Sequence, residues 1–128
     1  MAESLSLSSS PESPGAARRF VSSHLQQWGY PRLVPTAELV TSELATNAVE
    51  HSGRTFTVAL EDLGHGVHIA VGDSADRLPV QRDSSPVDVS GRGMQIVDAL
   101  SDAWGTTPVP DDGKLVWCDL HDPGRLQL

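Results

Sequence analysis

The fold of this chain is decided by one stretch, Glu38-Leu39-Val40-Thr41-Ser42-Glu43-Leu44-Ala45-Thr46-Asn47-Ala48-Val49-Glu50-His51. Val40, Leu44 and Ala48, with Ala37 just before them, recur at helical spacing. They predict a helix from about Pro35-Thr36 to His51, with Ser52-Gly53 as its exit. Glu43, Asn47 and His51 fall four apart and so line one side, neighbouring Cβ atoms standing ~5–6 Å from each other. At about 100° per residue this row borders the apolar stripe rather than opposing it, at the rim of the buried surface. An asparagine carbonyl there is a hard oxygen ligand suited to Mg²⁺. A carboxylate one turn away can accept a proton from an attacking hydroxyl. The same row also describes an ordinary polar flank, and alone it does not choose between the two.

Working outward, Ala16, Phe20, Val21, Leu25 and Trp28 predict an earlier helix over Gly15 to Trp28, stopped by Gly29-Tyr30-Pro31. Beyond the central helix, Thr55 to Glu61 reads as a strand. A turn at Asp62 to Gly66 returns it through Val67 to Val71 as a hairpin. Gly72 to Ser90 is rich in Asp, Ser, Pro and Arg without a period, and reads as a long loop. A third helix over Gly93 to Leu100 follows, then strands at Ala103 to Thr107 and Lys114 to Leu120 joined by a turn at Pro110 to Gly113. Two short-linked strand pairs imply a largely antiparallel mixed sheet. With the helices on one face, the expected class is α+β, a two-layer α/β sandwich. Residues 1–14, rich in Ser, Pro and Glu, are expected to be a flexible tail, 15–121 the domain, and 122–128 a frayed end.

The 128 residues suit one domain. A single cysteine, Cys118, excludes an internal disulfide and fits a reducing compartment. No apolar run approaches the ~20 residues of a spanning helix. Met1 to Ser10 lacks the features of a secretory signal, so a cytoplasmic location away from membranes is expected. Net charge is −8, from 9 basic and 17 acidic residues, with no basic cluster larger than Arg18-Arg19; this argues against a nucleic-acid partner. With so few cations, an anionic ligand would depend on a magnesium ion and backbone N–H groups. The five histidines include no helical pair at metal-ligand spacing, which argues against zinc. Trp28, Trp104, Trp117 and Cys118 read as core residues. Lys114 reads as a solvated residue at a strand start, and His51 either as a phosphate contact or as a cation favoured by the helix dipole.

Two more elements belong with the central helix. Ser90-Gly91-Arg92-Gly93-Met94 leads into a helix, where glycines let backbone N–H groups approach phosphate oxygens. Val67-His68-Ile69-Ala70-Val71-Gly72-Asp73 is an apolar strand ending in a carboxylate that can accept a hydrogen bond from an exocyclic amine. Each has a plain alternative, a flexible helix entry and a turn cap. Taken in order, Glu43 to Ala48, Asp73, and Gly91 to Met94 resemble the N box and glycine boxes of the GHKL (Bergerat-fold) ATPases. They are most similar to the stand-alone bacterial branch of anti-sigma factor serine kinases and histidine-kinase-like ATP-binding regulators. Ala37 to Val40, Gly93 to Gly105 and Gly113 to Trp117 extend the resemblance, which covers about residues 16–120.

The resemblance implies ATP and Mg²⁺ as cofactors, with Asn47 holding the metal and Glu43 as catalytic base. It implies that Asp73 reads the adenine amine, and that Gly91, Arg92, Gly93 and Met94 shape a lid hinge and cradle phosphates. Residues 79–90 would form a short ATP lid. The implied partners are an anti-sigma-factor antagonist and a sigma factor, and a homodimer is implied as well. One departure stands out: the first glycine box of the family, Asp-x-Gly-x-Gly, is here Asp73-Ser74-Ala75-Asp76-Arg77, without either glycine. Three functions follow as expectations: a serine/threonine kinase of regulatory proteins, a non-catalytic ATP-dependent binding module, and an interaction module without nucleotide.

Overall fold

A computed structural model describes residues 1–52, 55–73, 92–109 and 113–125. In chain order the elements are β1 (Ala2–Leu7), α1 (Ser13–Gln27), a 3₁₀ turn (Pro31–Leu33), α2 (Val34–Ser52), β2 (Phe56–Asp62) and β3 (Gly66–Gly72). They continue through α3 (Arg92–Leu100), β4 (Ala103–Val109), β5 (Gly113–His121) and a 3₁₀ turn at Pro123–Arg125. The strands form one sheet ordered β1-β2-β3-β5-β4, and all four pairings are antiparallel. This is the two-layer α+β sandwich that the pattern predicts.

Strand alternation divides the sheet into two faces. Phe56, Val58 and Leu60 of β2, Val67, Ile69 and Val71 of β3, and Val116, Cys118 and Leu120 of β5 share one core with the helices. That core takes Ala17, Val21 and Leu25 from α1, Ala37, Val40, Leu44 and Ala48 from α2, and Met94 and Val97 from α3. On the opposite face Ala70, Leu115 and Trp117 form a second, smaller cluster. Trp117 is buried as expected, but in that second cluster and not under the helices. Beside it the His68 ring stacks on the indole at 5.5 Å, and His68 Nδ1 bonds Asp119 Oδ1 at 2.5 Å. Both partners are buried, so the pair satisfies two polar groups that the strand positions force out of water.

The amino-terminal segment corrects the expectation of a tail over 1–14. Residues 2–7 are the edge strand β1, in register with β2 from Ala2↔Glu61 to Leu7↔Phe56. The reason is an alternation hidden in a polar composition: Leu5 and Leu7 fall on the helix side, while Ser4 and Ser6 point outward and Ser6 Oγ meets Thr57 Oγ1 at 3.3 Å. The Ser13 hydroxyl then donates to the Ser8 carbonyl, tying the strand exit to the start of α1. The carboxyl end is also more ordered than a frayed one. Asp122 is buried, its N–H donates to His65 O at 2.8 Å, and its Oδ1 accepts from Gly124 N–H at 2.9 Å. Residues 126–128 lie outside the described set.

Helix α1 ends where the sequence says it must. Gly29 takes φ 86°, and the Tyr30 N–H returns to Leu25 O at 2.8 Å, the glycine-dependent way of closing a helix. Tyr30 is wholly buried, and its hydroxyl donates to Asp62 Oδ1 at 2.5 Å, fastening the α1–α2 connection to the end of β2. Among the described residues no helix is long and apolar enough to cross a membrane.

Tyr30→Phe should lower the unfolding free energy by about 1.5–3 kcal/mol, as loss of a bond to a charged acceptor does; urea titration with an unchanged slope checks this. Burial raises the Cys118 thiol from an ordinary 9.0 to about 12, with the nearby Asp119 charge adding to the rise. The thiol should therefore resist aromatic disulfide reagents until the chain is unfolded. Between pH 9.0 and about 12 the unfolded chain ionises this thiol and the folded one does not. Stability relative to Cys118→Ala should then fall across that window.

Candidate functional site

The topology brings the three sequence elements to one end of the sheet. Helix α1 packs on β1 and α2, α2 lies over β2 and β3, and α3 packs on α2 and β4. The two outer helices thus flank α2 on opposite sides. Arg18 of α1 donates to Ser42 Oγ at 3.1 Å, which fixes the Ser42 side of α2 as the one facing α1. Glu43 and Asn47 lie around the other side of the helix, toward α3, and both are half-buried.

Chain direction settles which end of the sheet is involved. Helix α2 runs into β2, whose first residues lie beside the last of β3 through Thr57↔Gly72. Helix α3 turns straight into β4, so its amino terminus lies toward the Val109↔Gly113 end. On β5, Leu115 pairs with Gly72 and Thr107 pairs with Leu115, so that end is the same one. The carboxyl half of α2, Asp73 at the exit of β3, and the start of α3 therefore converge there. Lys114 is at this end too, with its side chain exposed as expected.

Asp73 is held by its backbone. Its N–H donates to Lys114 O at 3.3 Å, and the preceding Gly72 has φ 147°. A Cβ at Gly72 would come within 2.2 Å of Lys114 O, so no other residue fits without moving β3 away from β5. Asp73 stands out in the sequence as a candidate, whereas Gly72 does not. The available signal was a glycine closing an apolar strand immediately before a carboxylate.

The other predicted residues are distributed unevenly. His51 lies in the last turn of α2, with its side chain outside the described set, as is all of Gly91. Arg92 and Gly93 open α3, where backbone N–H groups lack helical partners. Met94 sends its side chain into the main core, which leaves its backbone for any role toward a ligand. The expected lid, 79–90, and the altered box, Ser74 to Arg77, also lie outside the described residues.

Compared with models of protein families, residues 7–118 match the histidine kinase-like ATPase domain. The chain belongs to that family. The match runs from the end of β1 into β5 and so contains every part of the convergent end. A comparison with curated proteins returned no match. This histidine kinase-like ATPase domain is accordingly an ATP-binding domain of the GHKL type. Among the described residues no group of three or more His, Cys, Asp and Glu side chains could hold a metal. The hard oxygens at the site, on Asn47 and Glu43, instead suit a magnesium ion carried largely by nucleotide oxygens and water.

Gly72→Ala should destabilise the domain and weaken Mg-ATP binding, because relieving the clash shifts Asp73. Gly64 also has positive φ, at 90°, but a Cβ there meets nothing within 4 Å. Gly64→Ala should therefore cost only the backbone strain, about 1–2 kcal/mol, and leave nucleotide affinity intact. Denaturant titration and calorimetry of the two variants side by side check the difference.

Proposed function

We propose that this histidine kinase-like ATPase domain is a serine/threonine kinase of regulatory proteins, working in the cytoplasm. Its substrate would be an anti-sigma-factor antagonist with a serine acceptor, and a sigma factor would be the partner it sequesters. The observation that carries the reading is Glu43 one helical turn before Asn47, both half-buried on the side of α2 that faces α3. Phosphoryl transfer asks for little else from a protein than this: a held nucleotide and a carboxylate beside the incoming hydroxyl.

In this mechanism Asp73, fixed by Gly72 and Lys114, orients the nucleotide by accepting from the adenine amine. The opening N–H groups of α3, at the positive end of the helix dipole, bind phosphate oxygens. Asn47 would hold Mg²⁺, which when bound offsets charge on the transferring phosphoryl group. Glu43 accepts the proton of the serine hydroxyl as its oxygen bonds to the γ-phosphorus, and ADP leaves with the bridging oxygen.

A second reading is an ATP-dependent binding module without transfer, in which occupancy by nucleotide shifts the affinity for a protein partner between two states. The altered box at Ser74 to Arg77, without either glycine, bears on a third, an interaction module without nucleotide, which Mg-ATP binding by calorimetry would exclude.

Two variants separate the readings. Asn47→Ala should abolish Mg-ATP binding by calorimetry. Glu43→Ala should retain binding but lower phosphoserine formation on an antagonist protein at least about a hundredfold, the scale of a lost general base. No phosphoserine with the parent protein would overturn the kinase reading, and transfer unchanged in Glu43→Ala would overturn Glu43 as its base. Partner control that survives Glu43→Ala without any phosphoserine would establish the binding module.

A further inference from the structure

The sheet end opposite the candidate nucleotide site carries a second group of polar side chains. His65 lies in the turn between β2 and β3, and His121 closes β5. Register sets Gly66 beside His121, and a Cβ at Gly66 would come within 2.1 Å of Leu120 O, so the two backbones run close together here. The turn is fixed on both sides. Leu63 N–H donates to Gly66 O, Gly64 N–H to Asp62 Oδ1 and Asp122 N–H to His65 O, each at 2.8 Å. The two imidazoles, both half-buried, are thereby held with ring centres 4.7 Å apart and planes at 68°. Asp102, just before β4, backs His121. Its Oδ2 accepts from the His121 N–H at 2.7 Å, and its Oδ1 stands 4.0 Å from His121 Nδ1.

We propose that His65 and His121 form a clamp for a divalent late transition ion of the zinc, nickel and copper class, with Asp102 as a positioning residue. The proposal is independent of the kinase reading and of the magnesium ion which that reading invokes. An imidazole nitrogen binds such an ion at ~2.0–2.1 Å, so its ring centre stands about 3.1 Å away. Two rings on one ion, at roughly 90–110° to each other, then have centres about 4.4–5.1 Å apart. The observed 4.7 Å falls within that span. Edge-to-face packing alone gives similar separations, and the carboxylate is what distinguishes the clamp. A small ring rotation brings the His121 Nδ1–H onto Asp102, which fixes the tautomer and leaves Nε2 as the ligand atom, the usual support of a metal-bound histidine. The charge of Asp102 also suits a cation and repels an anionic ligand. Among the described residues no three side chains of ligand type are grouped to hold an ion, so water completes the coordination and the clamp is an open, exchangeable site. No helical pair announces it, because its two histidines come from a turn and a strand end far apart in the chain.

Calorimetry of the untagged full chain with Zn²⁺ or Ni²⁺ should show one ion bound per chain. The ion should also raise the thermal midpoint, because it ties the β2–β3 turn to the end of β5. His65→Gln and His121→Gln should each keep the thermal unfolding of the metal-free parent and weaken binding at least about tenfold. Asp102→Asn keeps an acceptor for the His121 N–H, so it should leave metal-free stability unchanged and weaken binding about 10–100-fold. His24→Gln, on α1 with Nδ1 against Phe20 O, should bind as the parent does. Substoichiometric Cu²⁺ should broaden the amide resonances of residues 64–66 and 120–122 before any others, a readout that needs no variant. A parent that binds neither Zn²⁺ nor Ni²⁺ one to one would overturn the proposal. So would undiminished binding in either clamp variant or in Asp102→Asn, an equal loss in His24→Gln, or broadening centred elsewhere.

Discussion

Val67, Ile69 and Val71 of β3 interlock with Val58 and Leu60 on one side and with Val116, Cys118 and Leu120 on the other, beneath three helices. Every residue of β3 is buried, so this strand is covered on both faces and can neither slip nor twist independently of its neighbours. A shift of one residue would exchange Ile69 for His68 under the helices and strand a charged partner, Asp119, on the wrong face. The buried His68–Asp119 pair thus sets the register as firmly as the apolar residues do. The position of Asp73 at the end of β3 is inherited from that register.

Much of this was legible beforehand. The stripe of α2, the hairpin of β2 and β3, and the antiparallel pairing of β4 with β5 follow from period and turn residues, because burial of one face writes a repeating pattern into the chain. What escaped were features whose cause is a partner distant in sequence. β1 was hidden because serine fills its outward positions and composition outweighed an alternation only two leucines long. His68 and Asp119 are separated by 51 residues, and either alone is an unremarked polar residue in a strand. Gly72 is required by the Lys114 carbonyl, which no local pattern announces.

The candidate site divides along the same line. That Glu43 and Asn47 share a side of α2 is a matter of helical arithmetic. That this side faces α3 and not α1 needed the helix order across the sheet, with the Arg18–Ser42 bond marking the opposite side. Membership in the histidine kinase-like ATPase family accounts for why these parts meet at one sheet end. Under the proposed function, an acidic chain would recognise an anion there through geometry that its net charge does not reveal: peptide dipoles at a helix start, with a metal to offset like charge.

The tie between the Asp73 N–H and the Lys114 carbonyl has a consequence for how such a domain can diversify. It anchors the carboxylate to the sheet on the near side of the segment that follows, so residues 74–91 can change in length or composition without displacing it. Under the proposed function, the position of the carboxylate that would read the base is then inherited from the sheet, separately from the sequence that follows it.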